Sequence, residues 1–190
     1  NGAPMFSHSK HLRLAFILSL ACMVVMLPSK AMAVDLESFF GTYAGRSLST
    51  DGDGVTKRDF DVTIASTDNH GFELSWRTFV YRGDGTVKKK DYSLEFRATK
   101  REGIFSSAEK KDLFGAKVPS DPMKGEAYLW ARVDGNRMSV YGFSVSDDGG
   151  FEMQIYHRTL TENGMDLEFT RQTEDGVFRQ ISGKLQRIVE

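Results

Sequence analysis

Cysteine is nearly absent from this chain of 190 residues. The one cysteine, Cys22, lies inside an apolar segment near the N-terminus. The rest of the chain therefore carries no disulfide, no thiolate metal site and no thiol nucleophile. Histidine is scarce as well. Beyond residue 33 only His70 and His157 remain, too few for a multi-histidine metal site, and no cofactor is expected. The formal net charge of −1 leaves no basic stripe of the kind a nucleic-acid binder needs. No apolar run reaches the roughly 20 residues of a membrane-spanning helix. The longest runs from Leu14 to Leu27 and is broken only by Ser19.

That run has a definite context. Lys10, His11 and Arg13 precede it, and Ala31-Met32-Ala33 follows it. A basic stretch, an apolar stretch and a small-x-small site, in that order, read as a secretory signal with cleavage after Ala33. Met5 is then the expected start, with residues 1–4 upstream of it. Cys22 also invites a lipoprotein signal. Ser19 stands where that signal wants a leucine-type residue, and apolar Met23 to Leu27 follows where a polar tether belongs. The expectation is an exported protein, in a bacterial periplasm or outside the cell, with no transmembrane segment in the mature chain. All 26 acidic residues lie beyond residue 33, so the mature part is weakly acidic and no nucleic-acid partner is expected.

What the remainder has in abundance is turns. Asp51-Gly52-Asp53-Gly54, Asn69-His70-Gly71, Gly83-Asp84-Gly85, Asp134-Gly135, Asp147-Asp148-Gly149-Gly150, Asn163-Gly164 and Asp175-Gly176 punctuate it at short intervals. Such pairs supply the positive φ of tight hairpins. Between them lie expected strands at 39–48, 57–66, 72–82, 86–98, 126–133, 137–146, 151–160, 165–172 and 177–188, with a short one near 103–107. Residues 34–190 are thus expected to form a single all-β domain, an antiparallel up-and-down barrel of about 8–10 strands whose closure removes its edges. Residues 107–125 break the rhythm. They contain Pro119 and Pro122, the apolar Leu113, Phe114 and Met123, and four lysines. A loop this long is either a lid or a segment pinned to the wall by Phe114.

Alternation assigns faces. Phe72, Leu74 and Trp76 alternate with Glu73, Ser75 and Arg77; Tyr92, Leu94 and Phe96 with Ser93, Glu95 and Arg97; Met165, Leu167 and Phe169 with Asp166, Glu168 and Thr170. The apolar set faces inward and the charged set outward. This is opposite to an outer-membrane barrel, whose exterior is apolar. On 126–145 both faces carry apolar groups, with Tyr128 and Trp130 opposing Leu129 and Val133, and Tyr141 and Phe143 opposing Met138 and Val140. That pattern marks either a covered wall or a partner surface.

The first strand reads Phe39-Phe40-Gly41-Thr42-Tyr43-Ala44-Gly45-Arg46. It resembles the opening of lipocalin-like (calycin) barrels, in which a short turn leads into Gly-x-Trp, with tyrosine here in place of tryptophan. The resemblance implies an arginine near the last strand that packs across the ring and closes one end of the barrel. Arg171, Arg179 and Arg187 are the candidates. It also implies binding of small apolar molecules.

Three positions invite chemistry. His157 is in phase with Phe151, Met153 and Ile155, so it is expected to point inward, either satisfied within the core or holding the polar head of a ligand or a haem iron. Arg171 is in phase with Met165, Leu167 and Phe169, where a guanidinium needs a carboxylate, a carbonyl or an aromatic plane. Asp51-Gly52-Asp53-Gly54 has aspartates but lacks the spacing and the terminal glutamate of a calcium loop, so it reads as a turn. No nucleophile elbow is present, and Glu152 and Glu168 are expected on the outer face, apart from any dyad.

The expectation is a non-catalytic protein that binds a small hydrophobic or anionic amphipathic molecule inside the barrel. Trp76, Met153, Ile155 and Phe169 would line the interior, and His157 and Arg171 would take the polar group. The alternatives are a filled barrel that contacts a protein partner through its outer aromatics, and, more remotely, a haem protein or enzyme using His157.

Overall fold

The hairpin signals build the fold almost unaided. The computed structural model describes residues 35–190 except 52–53, 69, 108–109, 112–116, 119 and 189–190, together with Gly2. The segment read above as a leader, the tip of the first hairpin, Leu113, Phe114 and Pro119 therefore lie outside the described residues. A short 3-10 turn, η1 (Glu37–Phe39), leads into β1 (Gly41–Asp51), β2 (Gly54–Thr67), β3 (Gly71–Tyr81), β4 (Val87–Ala98) and β5 (Ile104–Ser107). Two minor strands follow, β6 (Lys110–Lys111) and β7 (Lys117–Val118), with the 3-10 turn η2 (Pro122–Lys124). Then come β8 (Tyr128–Asp134), β9 (Arg137–Val145), β10 (Phe151–Thr161), β11 (Gly164–Thr173) and β12 (Gly176–Ile188).

All strands except β6 and β7 join one closed antiparallel barrel. Each of these ten pairs with its neighbour along the chain, β5 pairs with β8 across the inserted segment, and β12 returns to β1 to close the sheet. This is the expected up-and-down topology. Hairpin geometry sets the registers. Between β8 and β9, Asp134 pairs with Arg137 across a two-residue turn, with Gly135 at φ 55°, where a side chain would be strained. Closure brings backbones very near one another. A Cβ at Gly45 would lie 2.0 Å from the Lys184 carbonyl oxygen, so only glycine fits at that point of the β1–β12 seam.

The segment between β5 and β8 has more structure than the sequence pattern predicts. Lys110 and Lys111 pair with Val118 and Lys117, and the Asp121 carboxylate caps η2 by accepting from the Met123 N–H at 3.0 Å. Alternation cannot reveal pairings only two residues long.

The barrel is filled at one end. Tyr43, Val62, Ile64, Phe72, Leu74 and Phe96 are buried there, with Phe39 folded in from η1. Phe72 stacks on Phe96 at 5.0 Å and meets the edge of Phe105 at 5.3 Å. The Tyr43 hydroxyl donates to the Phe39 carbonyl at 2.9 Å. Of the three candidate arginines, Arg187 is the one that closes this end. It stands 5.1 Å from the centre of the Tyr43 ring and donates to its hydroxyl at 2.6 Å. Burial raises the Tyr43 pKa, opposed by the charge and the hydrogen bond of Arg187.

Candidate ligand-binding site

The other half of the barrel is hollow. The register turns Phe60 and Arg58 of β2, Trp76 and Thr78 of β3, Tyr92 and Lys90 of β4, Gln154 and Tyr156 of β10, and Phe169 and Arg171 of β11 toward the axis. Two lobes result. One, of about 250 Å³, lies toward β2, β11 and β12 and is lined by Phe60, Phe169, Arg171, Arg179 and Ile181. The other, of about 270 Å³, lies toward β8 and β9 and is lined by Leu94, Leu129, Val140, Gly142 and Glu152. Trp76, Tyr92, Gln154, Tyr156 and Arg158 line both, so they form the ridge between the lobes. Gly142 contributes space, because it presents no side chain to the second lobe. Ala127, just beyond η2, is the contribution of the inserted segment to this wall.

The wall is aromatic. Trp76 stacks on Tyr92 at 4.9 Å, Tyr156 lies 6.1 Å from Trp76, and Phe169 lies 4.6 Å from Tyr156. Polar groups along β10 form a chain within it. The Tyr156 hydroxyl donates to Gln154 at 3.2 Å, Gln154 donates to Glu152 at 2.6 Å, and Arg171 forms an ion pair with Glu152. Burial pushes the Glu152 carboxyl up, but the hydrogen bonds from Arg171 and Gln154 outweigh it and the net shift is downward. Burial raises the Tyr156 hydroxyl. A bulge between Arg171 and Gln172 interrupts the β11–β12 ladder where Arg171 enters the cavity.

Arg158 stands apart from this network. It is only 1 % exposed, and its Nε and Nη1 are buried without a hydrogen-bond partner. Its guanidinium lies 5.6 Å from the Tyr156 ring centre. Burial lowers its pKa to about 10, so it stays charged at neutral pH.

Of the six residues expected at the site, Trp76, Phe169 and Arg171 line the cavity. Met153, Ile155 and His157 do not. They pair with Phe143, Tyr141 and Ser139 on the outer face, while Glu152, Gln154, Tyr156 and Arg158 take the inner face. The inward orientation expected for His157 and the outward one expected for Glu152 are therefore both reversed. The physical cause is that β10 has apolar groups on its outer side and lines a hollow half with polar ones. Every residue of Phe151–His157 is half-buried, so burial gives no contrast between the faces. Outside, the His157 Nδ1 lies 2.8 Å from the Ser139 Oγ. Its pKa is lowered by burial, then by Arg137, against an opposing pull from Glu168. Around it runs an aromatic stripe in which Trp130 stacks on Tyr141 at 4.9 Å and Phe143 on Phe151 at 6.3 Å.

Gln154, Tyr156 and Arg158 were not legible as site residues, because polar-x-polar on a strand reads as a solvated face. The one available signal was the run Phe151, Met153 and Ile155 in the opposite phase, which attracted the interior assignment to itself. Among the described residues, no cluster of three or more His, Cys, Asp or Glu side chains could hold a metal, and no helix is long and apolar enough to cross a membrane.

No protein-family model and no curated protein matches the chain. Among solved structures, a de novo designed fluorescence-activating β-barrel aligns with 83 % of this chain and 100 % of its own, at 16 % identity and a TM-score of 0.34.

Proposed function

We propose that this protein binds a small hydrophobic or amphipathic molecule in the hollow half of its barrel, without catalysis. The observation that carries the proposal is the two-lobed cavity behind the aromatic ridge of Trp76, Tyr92 and Tyr156. Sites for small molecules are concave, mostly apolar and furnished with a few convergent polar groups, which is the character of this interior. In this reading Trp76 and Phe169 contact the apolar body of the ligand, and Arg171, held by Glu152, forms part of the polar end. The barrel is proposed to be lipocalin-like, on the strength of Gly41-Thr42-Tyr43 and the clasp of Arg187 over that tyrosine. It is proposed to work outside the cytoplasm, on the strength of the leader pattern before Val34.

Native mass spectrometry of the protein purified from its own host tests this. The expected result is an added mass that leaves on denaturation and identifies the ligand class. A clean apo mass that persists after exposure to a lipid extract would refute it. In that case the outer stripe of Tyr128, Trp130, Tyr141 and Phe143 favours a second reading, a surface for a protein partner.

A further inference from the structure

Among the described residues, the interior holds a guanidinium, that of Arg158, two of whose nitrogens are buried without a hydrogen-bond partner. Arg158 points inward from β10, with Met138 of β9 and Leu167 of β11 as its neighbours across the ladder. Both are apolar. The nearest carboxylate along the inner face of its own strand is Glu152, which is engaged by Arg171 and Gln154. Tyr156 offers Arg158 the face of its ring, and the Tyr156 hydroxyl is turned to Gln154 instead. A buried guanidinium normally has hydrogen-bonded partners, and leaving its N–H groups unpaired is costly. Its side chain lines both lobes where they meet, so a guest held in the cavity is placed to supply the missing acceptor.

The surrounding charge points the same way. The lobe toward β11 is lined by Arg58, Lys90, Arg171 and Arg179 in addition to Arg158, and among the described residues no carboxylate lines it. Arg171 is already paired with Glu152, but the positive potential of this lining still favours an anionic head over a cationic one. The fork of a guanidinium can donate two parallel hydrogen bonds to a carboxylate.

We infer that the cavity is selective for amphipathic organic anions, with the acidic head seated on Arg158 between the lobes and the apolar body laid against Trp76, Tyr92, Tyr156 and Phe169. This rests on the binding reading above and specifies the class of ligand. The preference arises at Arg158, and Lys90, the exposed cation at the mouth of this lobe, draws the anion in.

Titration calorimetry with dodecanoate and its neutral counterpart dodecanol separates the two ideas. On the purified protein, dodecanoate is expected to bind at least about tenfold more tightly than dodecanol, the scale of one charge-assisted hydrogen bond. R158M should abolish that preference and leave dodecanol binding intact. Retained dodecanol binding also shows that the variant has folded, and R158K should restore part of the preference. Equal binding of both probes to the unmodified protein overturns the inference while leaving the cavity reading standing. A preference for dodecanoate that survives R158M overturns the placement of the head and transfers it to the mouth. Failure of both probes to bind sinks the cavity reading, and this inference with it.

Discussion

Replacing Arg158 with methionine should stabilise the ligand-free barrel, which is an unusual expectation for a core substitution. The guanidinium is 1 % exposed and two of its three nitrogens have no partner. Burial pushes its pKa down to about 10, well below the usual guanidinium range. At about 1.4 kcal/mol for each pKa unit, the charged form is disfavoured by roughly 3 kcal/mol. Methionine keeps an unbranched apolar stem of similar reach and removes the charge, at the loss of a cation–π contact of about 1 kcal/mol. The net gain should be about 2 kcal/mol, or a rise in Tm of about 4–8 °C for a domain of this size. The pH dependence follows from the direction of the shift. The folded pKa lies below the unfolded one, so the unfolded state binds more protons from a pH of about 10 upward, and stability contributed by this group rises there. Below it the cost is present in full. The gain from R158M should therefore be constant from neutral pH up to about 10 and shrink above it. Thermal melts of the two proteins at pH 7 and at pH values stepped through 10 measure both features. A fall in Tm of several degrees on substitution would refute the reasoning, because it would mean that the charge is satisfied and not exposed to the cavity.

Four further outcomes follow from other parts of the fold. Gly45→Ala drives a Cβ to 2.0 Å from the Lys184 carbonyl oxygen and should cost about 3 kcal/mol or more, read as a drop in urea midpoint; a silent substitution would place the β1–β12 seam elsewhere. Trp76 lines the cavity and Trp130 lies on the outer face, so uptake of dodecanoate should change tryptophan fluorescence in W130F and not in W76F. His157 should titrate below its ordinary value by NMR, so its contribution to stability is present above the unfolded pKa of about 6.5 and is lost as pH falls through the lowered folded value; His157→Ala should cost about 1 kcal/mol through the lost Ser139 bond and leave ligand affinity unchanged. Terminal sequencing of protein recovered from the host envelope should begin at Val34, and a mature chain that retains residues 14–27 would refute the proposed cleavage.

The strand framework was legible because two independent signals agreed. Turn pairs such as Asp134-Gly135 and Asn163-Gly164 fixed the ends of β8, β9, β10 and β11, and alternation such as Phe72, Leu74, Trp76 fixed their faces. Where one signal was missing, the structure departed from expectation. β6 and β7 are too short to alternate. On β10 both faces are amphipathic, and the polarity of the faces decided wrongly between them. Trp76, Phe169 and Arg171 were found because β3 and β11 extend from the filled end into the hollow end without changing phase, so the apolar residues buried at Phe72 and Met165 carry the assignment along the strand. β10 has no such anchor. Its one deeply buried residue is Arg158, which a hydrophobicity pattern assigns to solvent.

That inversion bears on how the barrel divides its labour. The end capped by Phe39, Tyr43 and Arg187 satisfies every usual requirement of a core: apolar side chains, a hydroxyl with a partner, a cation stacked on a ring. Nothing there calls for a ligand. The opposite end breaks two requirements at once, leaving volume unfilled and a charge unpaired on the same ridge. The charge has a simple remedy by mutation, an apolar side chain at position 158; a larger side chain at Gly142 would narrow the void but must displace Leu129, whose Cδ2 would lie 3.0 Å from the new Cβ. Sequences depart from local consistency mainly where function requires it. The coincidence of a void with a guanidinium short of partners, bordered by five aromatic rings, is what a binding site for an amphipathic anion would look like from the standpoint of packing and electrostatics alone. Narrowing the void without removing the charge should therefore leave the cost of the buried guanidinium in place. Gly142→Leu narrows the lobe toward β9 while Arg158 stays buried and unpaired, so it should weaken dodecanoate binding without the gain in Tm that R158M brings. Equal stabilisation by the two substitutions would show that the hollow half is a packing defect with no selectivity for charge.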